Sequence, residues 1–372
     1  MRPVTSARRV SALVLTVALA AGTVVGCSGD DDPSGTGGSQ PATTVPQADT
    51  GEVLAAVVDG VITPGYVRLT VSLREWADAL GALCTTPGTD PLERARQLWR
   101  ESVTAYESTV AYEVGPAMDL RLMSDVGFAP RVASIDALLA GVDPVDVATI
   151  ADRGANVRGL YAAEHALFGE PAAELATPSG ARRCQYLASV ATLSAEAATA
   201  VSDAWATGDA RATFLGATGS DPDGALPQLL NSVTHAVQAV DEEGLRDVAA
   251  AETYDALPDG RRDGAGSFGL GRQRARLQGA VVVIGSSATG LVAVVAERSS
   301  ETAERLQQAA EAAADAADQL PDAVAAAFGS DDGAMAVDTA ADAVSALKVL
   351  LATEVASQLG VTITLSDSDG DS

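Results

Sequence analysis

Apolar positions recur at intervals of three and four along most of the chain, while period-two alternation is rare. The clearest segment opens with Asp90-Pro91, a capping residue followed by proline at the first helical position. It then carries Leu98, Trp99, Val103, Tyr106, Val110 and Val114 before Gly115-Pro116 stops it. This spacing predicts a helix of about 25 residues with one buried face. Further helices are predicted over 66–83, with Leu69, Leu73, Trp76 and Leu80 inward, over 157–168, and over 181–206, with Cys184, Leu187, Val190 and Leu193 inward. After a loop at 207–222 the pattern resumes over 226–251, 272–319 and 334–359, and Gly285 to Ser287 mark a break in the middle segment. Each half then holds about four helices with short connections, which predicts an all-α fold of two four-helix-type bundles, 52–214 and 215–372. The apolar run 280–296 is short for a bilayer and is interrupted by Ser286, Ser287 and Thr289, so it is expected as a buried helix rather than a span.

The N-terminus departs from this pattern. Arg2, Arg8 and Arg9 precede an apolar run from Val10 to Val25, as in a secretory signal. The run closes with Val24-Val25-Gly26-Cys27, which matches the bacterial lipobox, so residues 1–26 are expected to be removed and Cys27 to be acylated. Residues 27–51 have almost nothing to bury and read as a disordered tether. The expected location is therefore the cell envelope, lipid-anchored to the outer face of the cell membrane, with the membrane as a partner through the acyl chains.

Charge excludes one class of partner. The chain has 50 acidic and 24 basic side chains, and loss of three arginines with the signal moves its formal net charge from -26 to -29. Such a surface repels phosphate backbones, and no stripe of lysine and arginine offsets it, so no nucleic acid is expected as a partner. Aromatic residues are few and uneven: only Tyr254, Phe268 and Phe328 lie beyond Phe214, so large rings belong to the first half. Cys84 and Cys184 form an even pair in an exported chain and are disulfide candidates, closing a loop of about 100 residues.

The candidate chemistry lies mainly in RGLYAAEHALFGE, residues 158–170. On a helix, Tyr161, Glu164, His165 and Phe168 fall at i, i+3, i+4 and i+7 and share one broad face. A phenol, a carboxylate and an imidazole there suit a metal ion or a polar ligand; the alternative is a structural polar face. Consecutive helical residues diverge by about 100°, so Glu164 and His165 are poorly placed to chelate one ion together. His235, the second histidine, is a further ligand candidate or an ordinary hydrogen-bonded residue, with Asn231 one turn before it. Two histidines and no HExxH exclude an all-histidine zinc site and ordinary zinc-peptidase chemistry, and the absence of GxSxG excludes a serine-hydrolase elbow.

Four segments in order, LWRESVTAYESTVAYEVGPAMD (98–119), RGLYAAEHALFG (158–169), RRCQYL (182–187) and LGVTITLSDSDGD (359–371), resemble the imelysin-like family of bacterial envelope proteins. The resemblance runs from about Val53 to the C-terminus. It implies two helical bundles related by duplication, export or lipid anchoring, and a link, in some members, to iron acquisition. The family's GxHxxE pattern falls on Gly159, Leu160, Tyr161, Ala162, Ala163 and Glu164, so tyrosine stands where the family has histidine. A ligand site drawing on Tyr161, Glu164, His165 and His235 is expected, with iron or another divalent metal, or a small ligand, as its occupant, and other envelope proteins as further partners. The expected function is a lipid-anchored binding protein. The alternatives are a non-catalytic envelope scaffold that has lost the family site and, less favoured because Tyr161 replaces the histidine, a metal-dependent peptidase.

Overall fold

A computed structural model describes residues 49–364 except 208, 220, 259, 260 and 263. The signal segment, Cys27 and all but the last residues of the tether lie outside the described residues, as does the acidic run after Thr364. Among the described residues the chain is helical, with no strand and a single antiparallel bridge between Ser286 and Thr289. The principal helices are α1 (Thr50–Thr85), α2 (Thr89–Val110), α3 (Gly159–Phe168) and α4 (Ala181–Ala206), then α5 (Ala225–Ala239), α6 (Gly269–Ile284), α7 (Gly290–Ala296), α8 (Ser300–Ala317) and α9 (Asp331–Leu350).

In the first half α1 packs along α2 and α4, and α3 lies against α4 and α2. In the second half α8 packs on α9, α7 and α6, while α5 lies against α6 and α9. The halves meet where α2 runs along α6. A single apolar core passes through both, from Val53 to Val361, so the described residues form one unit.

Local chemistry sets several helix ends. The side chains of Asp49, Ser299 and Ser330 accept backbone N–H bonds from the first turns of α1, α8 and α9, satisfying donors that a helix start leaves unpaired. Helix α1 starts well before the predicted Tyr66 because Val53, Leu54, Val57 and Ile62 also reach the core. A π turn at Val58–Ile62 makes this possible, since the extra residue re-registers the apolar stripe onto the face that Tyr66, Leu69 and Leu73 continue. Similar π turns at Val240–Leu245 and Leu351–Val355 extend α5 and α9. The predicted helix over 272–319 is three helices. Gly285 at φ 74° and Gly290 at φ 67° bracket the Ser286–Thr289 turn that ends α6, and a second break follows α7. Residues Gly290 to Val295 of α7 are buried in the protein core. Among the described residues α1 is the one helix long and apolar enough to cross a membrane by length and composition, yet its residues Leu69, Leu73, Trp76 and Leu80 are wholly buried. A disulfide between Cys84 and Cys184, with Cα atoms 5.5 Å apart, fastens the end of α1 to the start of α4.

Candidate functional site

Helix α3 begins at Gly159 with φ 82°, where a Cβ would stand 2.5 Å from the Val126 carbonyl oxygen, so both the backbone angle and the space require glycine. Trp99 of α2 donates its indole N–H to the Leu160 carbonyl at 2.9 Å and meets Phe168 edge-on, with ring centroids 5.0 Å apart. These contacts hold α3 so that Tyr161 and Glu164, one turn apart, face both α2 and α6.

Two ion pairs are built there. The Tyr161 hydroxyl donates to Glu107 of α2, and Glu107 also receives Arg276 of α6 through Nε at 2.8 Å and Nη2 at 2.7 Å. Glu164 receives Arg272 of α6 and the Gly266 N–H, the latter at 2.9 Å. The Arg272 guanidinium lies 4.4 Å from the Tyr161 ring centroid, a cation–π stack that ties the two pairs together. Glu107 is 1% exposed and Glu164 5%. Both acids come from the first half and both arginines from the second, so the network is neutral and spans the α2–α6 seam. A side chain at Gly264 would collide with the Glu164 carboxylate, which explains a glycine in the loop that covers it.

Burial and neighbouring charges act on Tyr161 and Arg276. It pushes the Tyr161 phenol well above its ordinary range, and the neighbouring Glu107 charge acts in the same direction, so Tyr161 remains a donor. Burial of Arg276 opposes its charge, but the Glu107 carboxylate more than compensates and keeps the guanidinium protonated.

A metal ion needs lone pairs from ligands that are free to turn toward it. Here each carboxylate has one oxygen held by an arginine and the other by a second donor, the Tyr161 hydroxyl for Glu107 and the Gly266 N–H for Glu164, and the phenol is a protonated donor. The buried polar atom of the network that lacks a partner is Arg272 Nε, an N–H that cannot ligate a cation. Among the described residues no group of three His, Cys, Asp or Glu is arranged to hold an ion. The residues do not fit a metal, which would have to displace two internal cations.

Of the four ligand candidates, the structure brings Tyr161 and Glu164 together and leaves both histidines elsewhere. His165 sits on the far flank of α3, its Nε2 2.7 Å from Asp136 Oδ1. The residues at i+3 and i+4 flank Tyr161 on opposite sides, and the buried wedge of α3 takes only the Glu164 side. His235 of α5 hydrogen-bonds the Thr364 carbonyl and lines a cavity of about 610 Å³ between the end of α2 and α5. The sequence reading missed Glu107, Arg272 and Arg276; its one visible trace is RQRAR at 272–276, which sets two arginines one turn apart on a helix facing the core.

The same cavity holds two further unanticipated groups, Glu113 and Arg121. Glu113 accepts the Met123 N–H at 3.2 Å, and burial raises its carboxyl above the usual range, partly countered by that hydrogen bond and by Arg276. Arg121 has φ 54°, a left-handed backbone that non-glycine residues seldom adopt.

Comparison with known proteins agrees with this architecture. An imelysin-like protein from Psychrobacter arcticum 273-4 superposes with TM-score 0.65 at 18% identity, covering 86% of this chain and 99% of its own. A protein from Parabacteroides distasonis ATCC 8503, described as an iron-regulated protein A precursor, superposes with TM-score 0.64 at 16% identity, covering 83% and 94%. No curated protein matches the sequence. The family model for imelysin (peptidase M75) matches residues 62–351, across both helical halves, and the chain belongs to that family.

Proposed function

We propose that the chain is a lipid-anchored, extracytoplasmic binding protein without peptidase activity, which holds a small organic ligand rather than a bare metal ion. The cavity between α2 and α5 carries this reading: at about 610 Å³, with Val110, Met118, Met123 and Ala239 lining it beside charged and polar side chains, it has the size and character of a small-molecule site. The arginine-filled network weighs against the alternatives that need a metal. A peptidase of this family would need an activated water, and Glu164 is engaged by Arg272 and Gly266 instead. A role in iron acquisition is taken from the relative described as iron-regulated. Regulation by iron does not require iron as the ligand, so the two readings are compatible. Anchoring through Cys27 rests on the lipobox.

Thermal melting of the mature protein with ferric iron, ferrous iron or zinc tests the choice of ligand. The melting temperature is expected to stay unchanged; a rise with any of the three contradicts the proposal. Chelator-sensitive peptide cleavage lost in Glu164→Gln would restore the enzyme.

A further inference from the structure

The cavity has an unusual charge arrangement. Glu113 and Arg121 stand on its wall, eight residues apart in sequence, and make no ion pair with each other. Among the described residues the Arg121 guanidinium makes no hydrogen bond or ion pair, and the one hydrogen bond to the Glu113 carboxyl is the Met123 N–H. Arg121 is thus an exposed cation with no internal partner on the wall of the cavity that also holds the partly buried Glu113. The backbone at Arg121 is held left-handed, a conformation that persists only where surrounding structure enforces it. Beside these charges the wall combines polar groups, among them Gln228, Asn231 and His235, with an apolar part where Met118 and Met123 present flexible side chains that adapt to varied shapes. Met118 and Met123 are 58% and 51% exposed, so part of this apolar wall remains open to an incoming group.

We infer that the cavity binds a small zwitterion with an apolar body, of the amino-acid or short-peptide class, whose ammonium meets Glu113 and whose carboxylate meets Arg121. This inference rests on the reading of the chain as a small-ligand binding protein and specifies its ligand. A ligand bearing both charges gives each wall residue a directly bonded counter-charge, and charge-assisted hydrogen bonds of this kind are stronger than neutral ones. Burial has raised the Glu113 carboxyl above its usual range, and an ammonium beside it would bring it down, so ligand binding and ionisation of Glu113 reinforce each other. A divalent cation would meet Arg121 as a like charge, and a dianion would meet Glu113.

The test is titration calorimetry of the mature chain with leucyl-leucine, N-acetyl-leucyl-leucine and leucyl-leucine amide, against wild type, Glu113→Gln, Arg121→Gln and Ala239→Trp. Ala239 lines the cavity, and the indole at that position fills it. Free leucyl-leucine is expected to bind, and acetylation to weaken it about tenfold or more in wild type but not further in Glu113→Gln. Amidation is expected to do the same with respect to Arg121→Gln, and Ala239→Trp to abolish all binding. Circular dichroism melts confirm that each variant is folded. Equal affinity for free and capped dipeptides, lost in Ala239→Trp, overturns the zwitterion assignment while the small-ligand reading stands. No binding by any of the three overturns the assignment as well, whereas metal uptake in the melting experiment overturns the broader reading instead.

Discussion

Replacing Arg276 by methionine removes the cation from a nearly inaccessible carboxylate. At the 2.8 Å separation of Arg276 Nε and Glu107 the direct attraction is about 6 kcal/mol for an effective dielectric constant near 20. Desolvation of both ions offsets most of this, so the intact pair adds little net stability, but removing one partner leaves the other charge buried and costs about 3–5 kcal/mol. Glu107 keeps its bond from Tyr161 and feels Arg272 nearby, which places Arg276→Met at the lower end, about 3 kcal/mol. Denaturant unfolding followed by tryptophan fluorescence measures the loss, since Trp99 lies on the same helix as Glu107. The double variant Glu107→Gln/Arg276→Met removes the stranded charge and is expected to recover to within about 1 kcal/mol of wild type. A single variant that loses less than about 1 kcal/mol, or a double variant as unstable as the single, refutes the buried-pair argument.

Other consequences follow from neighbouring features. Replacing both Cys84 and Cys184 by serine opens a loop with sequence separation 100 and should cost about 4–5 kcal/mol in the same unfolding measurement. The Glu113 carboxyl is raised in the folded state, so its contribution is favourable below the ordinary glutamate range and is lost as pH rises through its folded value. Glu113→Gln should therefore gain stability relative to wild type on going from pH 4 to pH 7, read from melting temperatures across that range. Gly279 of α6 lies so close to α2 that a Cβ would overlap the Ser108 carbonyl. Gly279→Ala, which would ordinarily favour a helix, is instead expected to destabilise by about 2 kcal/mol, measured by calorimetry.

Much of the fold was legible because helix packing is periodic. Leu69, Leu73, Trp76 and Leu80 declared the buried face of α1, and Asp90-Pro91 marked the start of α2 to within a residue or so. The π turns were not, because an added residue in a helix leaves no composition mark and shows only as a phase shift between stripes such as Val53-Val57 and Tyr66-Leu73. The site was legible in part. Tyr161 and Glu164 are local neighbours on α3, so spacing alone places them together. Their partners Arg272 and Arg276 arrive from more than a hundred residues away, and no local pattern states which acids they meet. His165 illustrates the limit from the other side: it shares the broad helix face with Tyr161, but the depth of burial across that face decides which residues enter the seam, and depth is a tertiary property.

The central claim is that internal arginines close the place where the family motif falls, so the chain carries no ion there. Elemental analysis of the protein, purified without a metal-binding tag from iron-replete cells, tests this most directly. Iron, zinc and other transition metals well below one equivalent per chain are the expected result; an equivalent of iron retained through purification, and lost in Glu164→Gln, would contradict it.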